Sequence, residues 1–200
     1  MSYARAAPRF PQRWQLLGAA PRVLLVFGWL LVGHRPVAAQ RYVAERSRVG
    51  FFSETPLENI EAVTDQATSL FDAATGQVAF AVPVKSFQFA KSLMREHFNE
   101  SYLESDRYPK ATFGGKVTGF TNQPGQQRVT ATGDLSLHGV TRAVTVEGTM
   151  DVREGRIVLD AAFPVKLADY RVKVPTVVFY NVAEVIEVKI NFAYKPYENQ

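Results

Sequence analysis

The 200-residue chain contains no cysteine. This absence excludes a disulfide-stapled secreted module, a zinc site built on thiolates and a lipoprotein anchored through an N-terminal cysteine. The fold must therefore be stabilised by packing alone. Hydrophobic residues make up 46% of the chain, which at this length suffices for one domain with its own core.

Acidic residues are missing from the first 39 positions, so the net charge of the whole chain does not represent that of residues 40–200. That segment contains five of the 23 basic residues and none of the 19 acidic ones. The remaining residues, 40–200, therefore carry 18 basic and 19 acidic side chains and are close to neutral. Nucleic-acid binding requires a basic surface that displaces counterions from phosphates, so we expect no nucleic-acid partner.

The sequence also lacks an apolar run long enough to cross a membrane. Its longest run, VLLVFGWLLV at residues 23–32, has ten residues, whereas a membrane-spanning helix needs about 20. The run follows a stretch that contains arginines and precedes Val37-Ala38-Ala39, where small residues match the recognition site of signal peptidase. We interpret residues 1–39 as a cleaved signal peptide. Residues 40–200 are then a periplasmic or secreted domain with no stable membrane anchor after cleavage.

Beyond residue 40, most of the chain alternates apolar and polar residues with a period of two, which is typical of strands with one buried face. The clearest alternation covers residues 128–138, 142–152, 156–168 and 186–194. Short strands at regular spacing predict an all-β fold, an antiparallel β-barrel of about eight strands in meander order. Glycines at positions 114, 115 and 119 would allow the bend that closure requires.

One segment interrupts this pattern. Met94, Phe98 and Tyr102 recur one helical turn apart, with charged residues on the opposite side. The spacing predicts one short amphipathic helix over residues 92–103, inserted between strands. Its apolar stripe must pack against a sheet face or across the mouth of the barrel. We expect this helix to cover part of the barrel and to shape its entrance.

Three motifs carry a resemblance to a known family. They are Leu93-Met94-x-x-His97-Phe98, then Ser105-Asp106-x-Tyr108-Pro109-x-Ala111-Thr112-Phe113, then Leu135-Ser136-Leu137-His138-Gly139-Val140-Thr141. With these motifs, roughly residues 41–194 resemble the YceI-like family, most closely its Bacteroidetes-type members. The resemblance implies a lipocalin-like barrel in the bacterial periplasm, and some members of the family bind polyisoprenoid or quinone lipids.

The chain departs from the family pattern at two places near the barrel mouth. Arg46-Ser47 stands where many members have His-Ser, and Asp169-Tyr170-Arg171 stands where an Asp-aromatic-Gly is usual. Recognition of a polar headgroup is therefore not carried over from the family. Binding of an apolar tail depends less on these positions.

The alternation and the resemblance together predict a ligand site inside the barrel. The inward faces combine bulky phenylalanines with small alanines, which is compatible with an apolar cavity for one small ligand. The function inferred is binding of a long apolar lipid, isoprenoid or quinone-like, with no cofactor. The residues expected to line the interior are Val78, Phe80, Val82, Phe98, Ala111, Phe113, Val117, Leu135, Leu137, Val146, Met150, Ala161, Phe163, Ile190 and Phe192.

A second reading of the same pattern remains open. An apolar stripe inside a barrel also forms when the interior is packed solid, and the protein would then be a stress-associated envelope protein that acts through contacts with other proteins. A cavity in the structure distinguishes the two readings. A homodimer is compatible with either of them.

Catalysis and metal binding are not favoured by the residues present. Asp134, Ser136 and His138 point to one side of a strand, but residues two apart are separated by about 6.6 Å, whereas a nucleophile and its base must approach to about 3 Å. We expect all three to face solvent. His97 is the only other histidine after residue 40, and neither HExxH nor a paired-cysteine spacing is present. We therefore predict neither an enzyme nor a metal site.

The mature protein should begin at Gln40, because Val37 and Ala39 occupy the small-residue positions upstream of the cleavage site. Intact-mass measurement or N-terminal sequencing of exported protein checks this prediction. Residues 1–39 retained on the exported, folded protein would contradict it.

Overall fold

The alternating segments form strands in the computed structural model, which describes residues 40–55, 59–173 and 182–198. The predicted signal peptide, residues 1–39, lies outside the described residues. The strands are β1 (Arg41–Ser53), β2 (Ile60–Thr64), β3 (Thr68–Asp72), β4 (Gln77–Pro83), β5 (Gln88–Phe89), β6 (Lys110–Thr118), β7 (Gly125–Leu137), β8 (Val140–Arg153), β9 (Arg156–Lys166) and β10 (Val185–Pro196). The helical elements are α1 (Ser92–His97), a π-helical turn (Phe98–Tyr102) and two short 3₁₀ turns (Val84–Ser86 and Leu167–Tyr170).

Eight of these strands close into a barrel. They follow the order β1, β3, β4, β6, β7, β8, β9 and β10, each antiparallel to the next, and β10 pairs back onto β1. This order confirms the predicted antiparallel meander barrel. The remaining two strands extend the wall at one end, because β2 pairs with the second half of β1 and β5 pairs with β2. We call this end, where β1 and β7 finish, the upper end.

The seam between β1 and β10 contains a β-bulge. The pairing register shifts between Ala44 and Arg46, so that Glu45 is an extra residue in β1. A bulge increases the local twist of a strand, which helps the sheet to curl onto itself. The Glu45 side chain is fixed by Arg156 at the start of β9, whose Nη1 lies 3.0 Å from each carboxylate oxygen.

A glycine pair bends the wall between β6 and β7. Gly115 and Gly133 are directly opposite each other. A Cβ atom at Gly133 would lie 2.3 Å from the Gly114 carbonyl oxygen, and one at Gly115 would lie 2.4 Å from the Thr132 carbonyl oxygen. Only glycine permits this close approach of the two backbones. The neighbouring Gly114 has no such requirement, since a Cβ there would meet nothing within 4 Å.

The lower end of the barrel contains large, fully buried side chains. Tyr42, Phe71, Phe192 and Tyr194 are at most 1% exposed, and the Phe71 ring meets other aromatic rings at centroid distances of 5.1 to 6.4 Å. Each large side chain removed from water here contributes about 1.5–3 kcal/mol to the folding free energy.

One hydrogen-bond chain crosses this core. The Ser69 hydroxyl donates to the Ala79 carbonyl oxygen at 2.9 Å, and Ser69 Oγ lies 2.6 Å from the Tyr194 hydroxyl oxygen. Because a serine hydroxyl has a single hydrogen, the Tyr194 hydroxyl is the donor in the second bond. Burial raises the pKa of Tyr194 well above its ordinary value, so the hydroxyl stays neutral in the folded protein.

The predicted helix is present, but its hydrogen bonding changes midway. α1 is followed by the π-helical turn, in which the Leu103 N–H donates to the Phe98 carbonyl oxygen at 2.9 Å. A π turn fits one more residue into each turn, and both Tyr102 and Leu103 are buried at its end. Met94 and Phe98 are half-buried on the same stripe. Leu93, which precedes them, is 47% exposed.

Phe98 packs into a cluster of four phenylalanines at the upper end. Its ring lies 5.0 to 5.5 Å, centroid to centroid, from the rings of Phe51 in β1, Phe87 and Phe89. Phe51 also contacts Phe87 at 5.5 Å and Phe89 at 5.9 Å. We call Phe51, Phe87, Phe89 and Phe98 the phenylalanine cluster. It joins the helical segment, residues 92–103, to the extended wall of the barrel.

The expectation that His138 faces solvent was wrong. His138 lies in the two-residue turn between β7 and β8, with a φ of 51°, and its side chain is 9% exposed. Its Nδ1 is 3.1 Å from the Tyr170 carbonyl oxygen, and its Nε2 is 3.0 Å from Glu104 Oε1. Because its backbone is left-handed, His138 does not follow the alternation of inward and outward side chains along β7. The expectation depended on that alternation. No serine–histidine pair results, because the Ser136 hydroxyl is hydrogen-bonded to the Thr141 hydroxyl at 2.5 Å.

Among the residues that the structure describes, no helix is both long and apolar enough to span a membrane.

Tyr194→Phe should lower the free energy of unfolding at neutral pH by about 1 kcal/mol, since it removes one buried hydrogen bond. At alkaline pH the difference should shrink. The unfolded chain releases the Tyr194 proton from about pH 10 upward, whereas the folded protein keeps it, so wild-type stability falls as pH rises through this range.

Urea unfolding at about pH 9 and about pH 11 measures this dependence, and Tyr194→Phe should lose less stability over the interval than wild type. Burial also raises the pKa of Tyr42, Tyr102 and Tyr170, but these side chains are common to both proteins. Tyr197→Phe is the matched control, because Tyr197 is 50% exposed. Equal losses in wild type and Tyr194→Phe would contradict the prediction.

Phe98→Ala should lower the free energy of unfolding by up to about 3 kcal/mol, because removal of a fully buried phenylalanine costs about 3–5 kcal/mol and this ring is half-buried. Glu96→Ala is the control on the exposed side of α1 and should change stability by less than about 0.5 kcal/mol. Thermal or urea unfolding distinguishes them. Equal, small effects would show that the helical segment does not depend on the phenylalanine cluster.

Candidate functional site

An apolar cavity occupies the upper half of the barrel. The space that the centre of a water molecule could occupy in this cavity has a volume of about 140 Å³. Inward side chains around it, such as Phe80, Phe163 and Val188, remain partly accessible, whereas Tyr42, Phe71 and Tyr194 at the lower end are at most 1% exposed. The interior is therefore more open in the upper half than at the lower end.

The small inward residue Ala111 contributes to this space. It lies on β6 directly opposite Val82 of β4, and its methyl group covers a part of the wall where a larger residue would fill the cavity. Lower along the same strand, Phe113 is 6% exposed and its ring stacks on that of Phe80 at 5.2 Å. The change from the small Ala111 to the large Phe113 along β6 accounts for the level at which the upper cavity begins.

The helical segment and the phenylalanine cluster form the cover of the cavity. All four members of the cluster line it, and so do Met94, Tyr102 and Leu103 of the helical segment. This arrangement agrees with the expectation that an inserted helix covers the barrel and shapes its entrance.

Polar contacts at the rim hold the cover in place. Lys85 in the first 3₁₀ turn forms an ion pair with Asp106, just after the helical segment. Two residues before Asp106, Glu104 accepts the hydrogen bond from His138, and the Tyr108 ring packs edge-on against the His138 imidazole at 4.6 Å. The histidine is therefore a structural residue of the rim.

Polar side chains are almost missing from the cavity. Among its described lining residues, only His97 and Tyr102 have a polar side chain, and both belong to the helical cover. Burial raises the pKa of the Tyr102 hydroxyl, so this group is neutral. A surface of this composition suits contacts through dispersion and the hydrophobic effect.

Most predicted site residues line this cavity or a second one. Those around the upper cavity are Phe80, Val82, Phe98, Ala111, Leu135, Leu137, Phe163 and Ile190. A smaller cavity of about 30 Å³ lies beneath, and the predicted residues that contact only this space are Val78, Phe113, Val117, Val146 and Ala161. Met150 and Phe192 line neither cavity, because both are 0% exposed within the core.

Several lining residues were missed by the sequence prediction. Val165 on β9 and Ile186 and Val188 on β10 lie an even number of residues from the predicted Phe163 and Ile190, so their side chains point inward as well. The period-two pattern could therefore have identified them. Phe87 and Val172 lie outside the long strands and follow no period. Their position depends on how the 3₁₀ turns fold back over the barrel, and no sequence pattern indicates it.

Metal ligands do not gather in the described part of the chain: residues 40–55, 59–173 and 182–198 contain no group of three histidine, cysteine, aspartate or glutamate side chains close enough to hold an ion.

Comparisons with known proteins agree with this architecture. The YceI-like domain model matches residues 41–194. No curated protein matches the chain in sequence. Among solved structures, BcnA of Burkholderia cenocepacia is 20% identical, with a TM-score of 0.64 over 74% of this chain and 95% of its own.

Two further structures show the same fold. A polyisoprenoid-binding domain from Saccharophagus degradans, implicated in plant cell wall breakdown, is 17% identical with a TM-score of 0.68, over 78% of this chain and 98% of its own. The YceI protein of Campylobacter jejuni is 15% identical with a TM-score of 0.56, over 73% and 90%. Because the domain model covers nearly all of the barrel, the chain belongs to the YceI-like domain family.

Proposed function

We propose that this protein is a non-enzymatic carrier that holds a long apolar lipid, isoprenoid or quinone-like, with its tail in the upper cavity. The observation that carries the proposal is a hollow of about 140 Å³ whose described lining residues include only two with a polar side chain. The family membership and the polyisoprenoid-binding domain of similar fold support the same class of ligand. The location that we propose is the periplasm or the extracellular space, after removal of residues 1–39.

The free energy of burial in this cavity favours an apolar tail over a polar metabolite. Each methylene buried in such a cavity contributes about 0.8 kcal/mol, so a branched hydrocarbon chain binds without any hydrogen bond. A polar group placed there would lose its hydrogen bonds to water and find few partners, at a cost of about 1–3 kcal/mol or more. The headgroup is therefore expected at the rim, near the helical cover, with the tail directed into the barrel.

The cavity also bears on the alternative of a filled barrel that acts through its surface. A solid interior would give the protein nothing to carry, and the lower half comes close to one, since its cavity is only about 30 Å³. The upper half differs, because the inward side chains of Phe80 and Phe163 remain partly accessible and line a cavity of about 140 Å³. This difference favours the carrier.

Ala111→Trp should abolish lipid binding while the fold is kept, because the indole would project into the space that the tail occupies. Residues 40–200 contain no tryptophan, so the new side chain also reports its surroundings by fluorescence. Ala161→Trp is the matched comparison. Ala161 faces the lower cavity of about 30 Å³, where an indole overpacks the core and should cost about 1–3 kcal/mol of stability.

Mass spectrometry of organic extracts from protein purified out of its native envelope, together with melting temperatures, tests both variants. Wild type should release a lipid and Ala111→Trp should release none at a nearly unchanged melting temperature. Extracts of wild type without lipid, combined with equal destabilisation by both substitutions, would instead establish the filled barrel.

A further inference from the structure

The two cavities are separated by a single layer of side chains. The upper cavity of about 140 Å³ and the lower one of about 30 Å³ share four lining residues, namely Phe80, Leu135, Phe163 and Ile190. These come from β4, β7, β9 and β10, so the layer crosses the whole width of the barrel. Whatever occupies the upper cavity must end on this layer.

Phe80 is the best-supported member of that layer. Its ring stacks on the Phe113 ring at 5.2 Å and 18°, and it lies 5.9 Å from the Phe192 ring. Phe113 and Phe192 are 6% and 0% exposed, whereas Phe80 is half-buried. Phe113 lies directly opposite Phe80 on the neighbouring strand. Two buried rings therefore hold the Phe80 ring in place, and this ring lines both cavities.

The position of the Phe113 support depends on a glycine. A Cβ atom at Gly115 would lie 2.8 Å from Phe113 Cζ, so the missing side chain at this position allows the ring to lie along the barrel wall. In that orientation Phe113 can stack on Phe80. The floor of the upper cavity is thus held by the wall itself.

Space continues below the floor. The lower cavity is bordered by the small inward residues Ala131, Gly148 and Ala161, which leave room that the surrounding valines do not fill. Along β10 the upper cavity extends from Ile186 to Ile190, about 10 Å along the barrel axis for a tilted strand. Along β7 the lower space extends from Leu135 to Val129, about 15 Å by the same measure.

From this geometry we infer that Phe80 determines how long a tail the barrel accepts. The inference rests on the proposed carrier function and narrows its ligand: the hydrocarbon within the barrel is a short isoprenoid segment of about 10 Å that ends on the Phe80 ring. Any further length of the same chain stays outside the cavity. Removal of the ring joins the two cavities and admits a longer segment.

The experiment uses linear isoprenoid alcohols that share one headgroup and differ only in length: geraniol, farnesol, geranylgeraniol and solanesol. Exported protein is stripped of lipid, and the affinity for each alcohol is measured by native mass spectrometry or calorimetry from the same detergent micelles. For wild type, affinity should rise with length among the short alcohols and then level off once the tail reaches Phe80.

Phe80→Ala should move this plateau to longer alcohols, and geranylgeraniol should bind at least about tenfold more tightly than to wild type, because additional isoprene carbons become buried. Phe89→Ala is the matched control. It removes the same ring from the entrance, where Phe89 lines only the upper cavity, so the plateau should stay at the wild-type length. Phe80→Leu keeps more of the core volume and should shift the plateau in the same direction if Phe80→Ala does not fold.

Two results would overturn the inference while the carrier function stands. In one, wild-type affinity keeps increasing up to solanesol. In the other, folded Phe80→Ala or Phe80→Leu keeps the wild-type plateau. If wild type binds none of the four alcohols, the proposed carrier function fails for isoprenoids, and the inference about Phe80 fails with it.

Discussion

Closure of the sheet by the pairing of β10 with β1 is the constraint on which the rest of the structure depends. A closed ring has no free edge, and it directs every second side chain of eight strands into one interior. The diameter of that interior is fixed by the number of strands and their tilt. At eight strands it is just wide enough to be filled by side chains or to hold one small ligand.

Whether the interior is hollow is therefore decided layer by layer, by the size of the inward residues. Tyr42, Phe71 and Tyr194 fill the lower layers and meet one another. In the upper layers Ala111 takes a position where a larger residue would close the space. The ring of Phe80 lies at the boundary between the filled lower layers and the open upper layers. One fold thus combines a stabilising core with a binding cavity, and neither part requires a second domain.

The cover of the cavity is stabilised differently from the barrel. It belongs to no closed hydrogen-bonded ring, and its contacts are the phenylalanine cluster together with a few polar pairs at the rim. Exposed ion pairs such as Lys85 with Asp106 contribute about 0–1 kcal/mol. A fully buried phenylalanine contributes about 1.5–3 kcal/mol, and the cluster combines the buried Phe87 with three half-buried rings. The hydrophobic contacts of Phe98 and its neighbours therefore dominate, and the same rings that hold the cover also line the entrance for an apolar ligand.

The class of fold, the strand faces and the place of the helical segment follow from the amino-acid pattern, because periods of two and of about 3.6 residues depend only on local backbone geometry. This pattern also placed the apolar residues on the inside, since only burial explains so regular an alternation. The pattern failed where the backbone leaves a regular element. His138 is buried at the rim because its positive φ takes it out of the strand alternation, and Phe87 lines the cavity from a position just after a 3₁₀ turn. Three features became apparent only in the assembled barrel: the upper half is hollow, Met150 and Phe192 lie within the core, and Phe80 lies between two cavities. These outcomes depend on which side chains from distant strands share a layer, and strand register is set by closure of the whole ring, so the size of any single residue could not reveal them.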